Sequence, residues 1–332
     1  MQILSRARPV ERVMQDPKVE GKVKRKLALA ADVRRFAADR LGLPAGRMYD
    51  RYTDLGRRHV SWVVFAAPEF SVEGETWPYP VVGRLKYRGF FTEAAARAEA
   101  SDFKARGFDV FVGGVDAYST LGWFRDPVLN TFLRLCDTEF AELLLHELVH
   151  AKIFFPGDTD FNEALATAVS EAGVRLWLES SKDFRGLDEY EGAMAKDREI
   201  IRLLLRTRER LDRLYRGAPR QPDELRRRKA AIFDGMRREH SRIRQRWRTG
   251  SHYDRNFYKP WNNARLNTVA TYYDLVPGFE RLLRNCEGDF ASFFRTIDGM
   301  RRMSPEQRRA MLENRAPGSA RHEPDAIRMS GR

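Results

Sequence analysis

Apolar residues recur at helical spacing through the first forty residues. Val10, Val13 and Met14 lead into Val23, Leu27, Ala30 and Val33, then Phe36, Ala37 and Leu41, which predicts helices across residues 9–42. Leu43-Pro44-Ala45-Gly46 ends them. The period then changes. Val60-Ser61-Trp62-Val63-Val64-Phe65-Ala66 is rich in β-branched and aromatic residues and predicts a strand. Two prolines make residues 77–83 an irregular or edge segment. Residues 87–91 predict a short strand, Thr92 caps a helix over Glu93–Arg106, and Gly107 stops it. Residues 108–112 and 117–124 predict two further strands.

Past that point the pattern is helical. Residues 140–150 read as a helix, Phe155-Pro156-Gly157-Asp158 as a turn, and residues 161–171 as a second helix. Leu187–Tyr215 and a partner starting at Asp223 predict a long antiparallel helical hairpin, broken at 216–222. Residues 258–277 are unusually rich in aromatic and neutral polar side chains. The tail beyond Arg315 mixes Gly, Pro, Ser and charges, which predicts disorder. A run of short strands between helical segments predicts an α+β fold. The segments are 1–45 (helical), 46–185 (core), 186–250 (hairpin), 251–315 (helical, closing a cleft) and 316–332 (tail). There is no internal repeat.

Composition changes this picture little. With 332 residues the chain can bury a large core. Its net charge of +13 sits mostly in the Arg-rich helices after residue 196. That excess reads first as a solvated helical face, with a nucleic-acid or acidic partner as the other possibility. Only Cys136 and Cys286 are present, too few for a disulfide framework. No apolar run of about 20 residues exists, so no membrane span is expected. Residues 1–8 lack an apolar signal core, so the expectation is a cytoplasmic protein, or one whose leader lies upstream.

Candidate chemistry centres on His146-Glu147-Leu148-Val149-His150. On a helix, residues four apart share one face, so both imidazoles can meet one metal ion. Glu147 projects beside that ion, where it can take a proton from an activated water. Leu143, Leu144, Leu145, Leu148 and Val149 make the rest of the helix apolar, so it is expected to be buried with its ligands facing a cleft. A catalytic zinc takes three protein ligands, and two His with one Glu is a standard set. Glu163, near the start of the second helix, is the third candidate; the bland reading is a helix-start carboxylate favoured by the macrodipole. Asn262 and Asn263 read as a helix N-cap, with Asn263 facing the cleft as a substrate contact. Tyr272 or Tyr273 can donate a hydroxyl to an oxyanion, or simply anchor the last helices. Glu171, two turns past Glu163, either orients a ligand histidine or is a surface charge.

Three blocks together carry a family resemblance: Ala117-Tyr118-Ser119-Thr120-Leu121-Gly122-Trp123-Phe124-Arg125-Asp126-Pro127, His146–His150, and Asp158-Thr159-Asp160-Phe161-Asn162-Glu163-Ala164-Leu165-Ala166-Thr167. The chain resembles the bacterial putative zinc aminopeptidases, a glutamate-zincin-like group named largely by similarity, from about Arg8 to about Arg284. The resemblance implies a zincin-like core, a Zn²⁺ cofactor and a peptide substrate. It also implies that the edge strand before the metal helix pairs with substrate backbone, which assigns that role to Ser119, Thr120, Leu121 and Gly122. Relatives often carry cysteines where this chain has Pro78 and Arg84, and commonly begin with a lipoprotein signal. The expected reaction is peptide-bond hydrolysis. The alternatives are a non-catalytic scaffold whose basic hairpin binds a polyanion, and a zinc hydrolase of non-peptide amides.

Overall fold

The computed structural model describes residues 2–314 except Arg47, Val81, 118–124, 218–220, 248–256 and Tyr258. The tail expected to be disordered and the proposed substrate strand Ser119–Gly122 therefore lie outside the described residues.

Strands are few and short. β1 (Arg8–Pro9), β2 (Arg51–Thr53) and β8 (Val128–Leu129) form one small sheet in the order β1-β2-β8. The main sheet has the order β6-β3-β7 and is antiparallel, from β3 (Ser61–Pro68), β6 (Arg88–Phe90) and β7 (Phe108–Val115). Its register pairs Val64 with Val112 and Pro68 with Phe108. One face, with Val64, Ala66 and Val110, packs on the helix over Glu93–Ala105 through Ala96, Ala100 and Phe103. Thr92 caps that helix by accepting from the Ala95 amide, as its position predicts. The segment with two prolines closes as a hairpin, β4 (Trp77–Tyr79) on β5 (Gly83–Leu85). Pro78 and Arg84, the two positions where relatives often carry cysteines, are direct cross-strand partners there.

Among the described residues the helices longer than one turn (Gln2–Ser5 forms a single turn) are, in chain order, α1 (Val10–Gln15), α2 (Gly21–Leu41), α3 (Glu93–Ala105), α4 (Asp137–Lys152), α5 (Thr159–Ser180), α6 (Phe184–Arg216), α7 (Pro222–Arg246), α8 (Asn263–Tyr273), α9 (Val276–Asn285), α10 (Phe290–Gly299) and α11 (Pro305–Glu313). The largest core cluster joins α2, α4, α5 and the C-terminal helices, with Leu27, Leu41, Leu144, Leu148, Phe161, Leu165, Phe279 and Phe293 all buried. Helices α4 and α5 lie close because Gly173 presents no side chain to Leu145 and Leu41; a Cβ there would sit 2.9 Å from each Cδ1. Their apolar length makes α4 a core helix, and the core in turn fixes the direction in which its polar face points.

The basic hairpin α6–α7 forms as expected, with many of its arginines exposed. Several of them pair with acids across and along the hairpin: Arg206 with Glu239, Arg246 with Glu199, Arg228 with Glu224 and Arg237 with Asp234. Pairs this exposed contribute about 0–1 kcal/mol each. They set the surface chemistry more than the stability.

Glu171 is neither of the two things its sequence position suggests. It is buried on α5, bonded to Arg198 at 3.0 Å, and near Arg175. Helix α6 supplies that arginine and covers it, which a reading of α5 alone does not reveal. Nearby, Tyr190 donates to Glu142 at 2.9 Å. Burial, reinforced by the Glu171 charge, pushes the Glu142 carboxyl up to about 7. The folded state therefore holds a proton that the unfolded state releases above its ordinary value of 4.5. Stability linked to this group is fully present below 4.5 and is lost as pH rises through about 7. Glu142→Gln keeps an acceptor for Tyr190 and removes the ionisation. It should flatten the fall in Tm between pH 5 and 8 and melt higher than the wild type at pH 8; thermal scans across about that pH range check it, and an unchanged slope would contradict it.

Candidate metal centre

Helix α4 starts with Asp137 and Glu139 in its first turn and ends with His150 and Lys152 in its last, both in the sense the helix dipole favours. Glu139 reaches back to the Cys136 amide at 3.1 Å, and Lys152 donates to the Gly42 carbonyl at 2.7 Å. With its ends held and its apolar stripe in the core, the helix turns His146 and His150 to one side. The two rings meet edge to face, 4.8 Å between centroids at 85°.

Glu163 arrives from α5, and a buried amide sets the approach. Asn162 accepts from the Phe155 amide at 2.9 Å and donates to the Phe155 carbonyl at 2.8 Å, closing the loop before the helix. Gly157, at φ 80°, makes the turn, and Gly83 passes so close that a Cβ would lie 2.6 Å from the Gly157 nitrogen. Asp158 caps α5 through the Phe161 amide. Arg308 of α11 binds Asp158 with two nitrogens, at 2.9 and 2.7 Å, in a pair that is almost wholly buried.

Three ligand atoms converge. His146 Nε2 lies 3.2 Å from Glu163 Oε2, His150 Nε2 lies 3.1 Å from His146 Nε2, and His150 Nε2 lies 3.6 Å from Glu163 Oε2. Ligands about 2.0–2.1 Å from a tetrahedral ion stand about 3.3–3.4 Å apart. The cluster has that spacing without rearrangement, and it is the one group of three or more metal-type side chains found among the described residues. Two imidazole nitrogens and a carboxylate oxygen brought together in a buried place need a shared positive charge between them. These residues fit a metal ion.

The electrostatics agree. Burial alone would raise Glu163, but hydrogen bonds from His146 and His150 overcome it and hold the carboxyl far below its usual range. Burial would lower His150, but Glu163 and Glu147 raise it. Glu147 carries no ligand atom in the cluster. Burial, with the charges of Glu163 and Asp126 adding and the two histidines opposing, raises its carboxyl above the ordinary value. A carboxyl raised in this way is a better proton acceptor. His150 Nδ1 is buried without a hydrogen-bond partner among the described residues. Glu171, bound to Arg198, does not supply one.

The structure brings Tyr272, rather than Tyr273, to the cluster. Its ring stacks on His146, 6.0 Å between centroids at 27°, and its hydroxyl is close enough to Glu163 to feel that carboxylate's charge. Burial beside Glu163, Tyr87 and Glu147 raises that phenol well above its ordinary value, so it keeps its proton. Tyr273 packs among apolar side chains instead. Asn263 is corrected. It begins α8 but is fully buried, donating to the carbonyls of Pro68 and Glu69 and accepting from the Tyr215 hydroxyl. Every polar atom of its side chain is in use, so it ties α8 to the end of β3 and leaves nothing for a substrate. Asn262 does cap α8, through the Arg265 amide at 2.9 Å.

Two residues near the cluster carry no sequence signal. The hydroxyls of Tyr87 and Tyr49 are both raised, first by burial; the carboxylates of Glu163 and Glu147 add to this at Tyr87, and those of Glu147 and Asp126 at Tyr49. Tyr49 also has φ 58°, a left-handed conformation costing roughly 1–2 kcal/mol for a residue with a Cβ. Its amide bonds to the Asp126 carbonyl at 2.7 Å, which holds it there.

The family profile described as "Putative aminopeptidase" matches residues 1–312 of the chain. The chain belongs to that family. The match covers the buried ligand cluster, Glu147 and Tyr272 alike, and reaches into α11 with Arg308. No curated protein and no solved structure matched. No described helix of this family member is long and apolar enough to cross a membrane.

Proposed function

We propose that this family member is a zinc peptidase that removes amino-terminal residues from peptides, with a zincin-like core. The convergence of His146, His150 and Glu163 carries the reading, and Glu147 beside it carries the mechanism. A zinc ion held by those three residues would polarise a carbonyl and lower the pKa of water. Glu147, with its raised affinity for protons, takes a proton from the attacking water and passes it to the leaving amine. Tyr272 keeps its hydroxyl proton and can donate to the oxyanion that develops on the scissile carbonyl. Ser119, Thr120, Leu121 and Gly122 are the proposed docking strand for substrate backbone, a role that rests on the resemblance.

Several hairpin arginines pair with neighbouring acids, which favours the enzyme over the polyanion-binding scaffold. The test is a library of short peptides in free and amino-acetylated forms. Free peptides should lose their first residue, acetylated ones should survive, and dialysis against a chelator should abolish turnover until zinc is restored. Turnover that survives complete metal removal would refute the zinc chemistry. Equal cleavage of acetylated peptides would refute amino-terminal trimming.

A further inference from the structure

A cavity of about 450 Å³ lies between the loop after β3, the β4–β5 hairpin, the start of α5, α8 and α11. That is within the range of small-molecule sites. None of His146, His150, Glu163, Glu147 or Tyr272 lines it. It shares walls with the metal centre all the same: Lys86 precedes Tyr87, Thr271 precedes Tyr272, and Asp160 is one turn ahead of Glu163.

Its lining holds unmet hydrogen-bonding capacity. Asn267 Nδ2, Thr159 Oγ1 and Asp160 Oδ1 are all buried without a partner among the described residues. Asn267 is 7% exposed and Thr159 5%. Buried polar atoms are rarely left unmatched, and three around one cavity point to something that occupies it. The other oxygen of Asp160 is taken by Lys86 at 2.6 Å.

The charge pattern says what kind of molecule fits. Arg208 reaches the cavity from α6 and gives one nitrogen to Asn267 Oδ1 at 3.1 Å and another to the Val72 carbonyl at 3.0 Å. Both partners are neutral, and among the described residues Arg208 meets no carboxylate. A half-buried guanidinium with neutral partners attracts an anion, and its fork matches a carboxylate. The unpaired Asn267 Nδ2 stands beside it as a further donor. Five carboxylates also line the cavity, Asp160 and Asp274 among them, against four cations. They would repel a dianion such as phosphate and favour a ligand that also carries an ammonium group.

We propose that this cavity is a second binding site, for a small zwitterion: an amino acid or short peptide whose free carboxylate pairs with Arg208 and Asn267 and whose ammonium faces Asp160. It goes beyond the proposed peptidase reaction and does not depend on it. The probes are the free L-amino acids and glycylglycine, each against its α-amide, and inorganic phosphate, titrated into the full-length protein by calorimetry. At least one carboxylate form should bind, with its amide and phosphate about tenfold weaker or worse. His146→Ala, which breaks the metal cluster, should leave that binding in place, so a molecule captured at the metal centre is told apart from one held here. Arg208→Gln should weaken binding by about tenfold or more. Gly74→Ala should do the same independently, because its Cβ would sit 3.2 Å from Asn267 Nδ2 and cover the donor. Both variants should keep the metal content and melting profile of the wild type. Amides or phosphate binding as well as the acids, unchanged binding in Gly74→Ala with Arg208→Gln, loss of binding with His146→Ala, or no binding by any probe would each overturn the proposal and leave a water-filled cavity.

Discussion

Glu147→Gln should abolish peptide hydrolysis while leaving the metal in place. Glu147 is beside the ligand cluster but contributes no atom to it. Glutamine has the same shape and can still bond to a nearby water, but it cannot accept a proton. A general base typically accounts for about 10²–10⁴-fold in rate, and the fall should be at least that large. Removing a partly desolvated carboxylate should not lower Tm, so a stability loss cannot mimic the result. Steady-state kinetics with metal analysis on the same preparation check both halves. A variant that turns over normally would place the chemistry elsewhere, and one that loses its metal would make Glu147 a ligand.

The largest effect on stability should come from a residue outside the proposed chemistry. Arg308 and Asp158 form a buried pair, with side chains only 6% and 11% exposed. Arg308 also lies over the rings of Phe155 and Phe161, 4.9 and 5.4 Å from their centroids. Arg308→Met keeps much of the packing but leaves Asp158 charged, buried and unpaired at the N-terminus of α5. Breaking a buried pair from one side costs about 3–5 kcal/mol. The double variant Arg308→Met with Asp158→Asn should recover a substantial part of that, because no stranded charge remains. Urea denaturation of the two variants against wild type measures it. A loss below about 1 kcal/mol for Arg308→Met would show that the pair behaves as a surface bridge.

What could be read from the sequence depended on how local each signal was. His146, Glu147 and His150 were legible because one helical turn fixes their geometry, and the apolar residues between them say which side is buried. Glu163 was legible at one remove: the turn at Pro156-Gly157 returns the chain, and α5 begins where a third ligand is needed. Tyr272 and Tyr273 could not be separated by sequence, since adjacent helical residues differ only in which face the tertiary packing selects. Asn263 was misread for a related reason. A helix-start asparagine can point into a cleft or back into the fold, and the Pro68 and Glu69 carbonyls decide it. Tyr49 and Tyr87 left no trace because they come from a turn and a loop remote in sequence. Glu171 looked like a surface charge until α6 covered it with Arg198. The small β1-β2-β8 sheet was not legible, since the two-residue strands β1 and β8 are too short to show any alternation.

The proposed function rests on one assembly, His146, His150 and Glu163 from two helices, which could hold a metal ion. The most direct test is metal content per chain, by elemental analysis of protein purified without chelator, for wild type and for His146→Ala, His150→Ala, Glu163→Ala and Glu171→Ala. The account predicts about one zinc per wild-type chain, little in the first three variants, and a full complement in Glu171→Ala, whose carboxylate belongs to Arg198. Wild-type protein without zinc, or full zinc retained by Glu163→Ala, would contradict it.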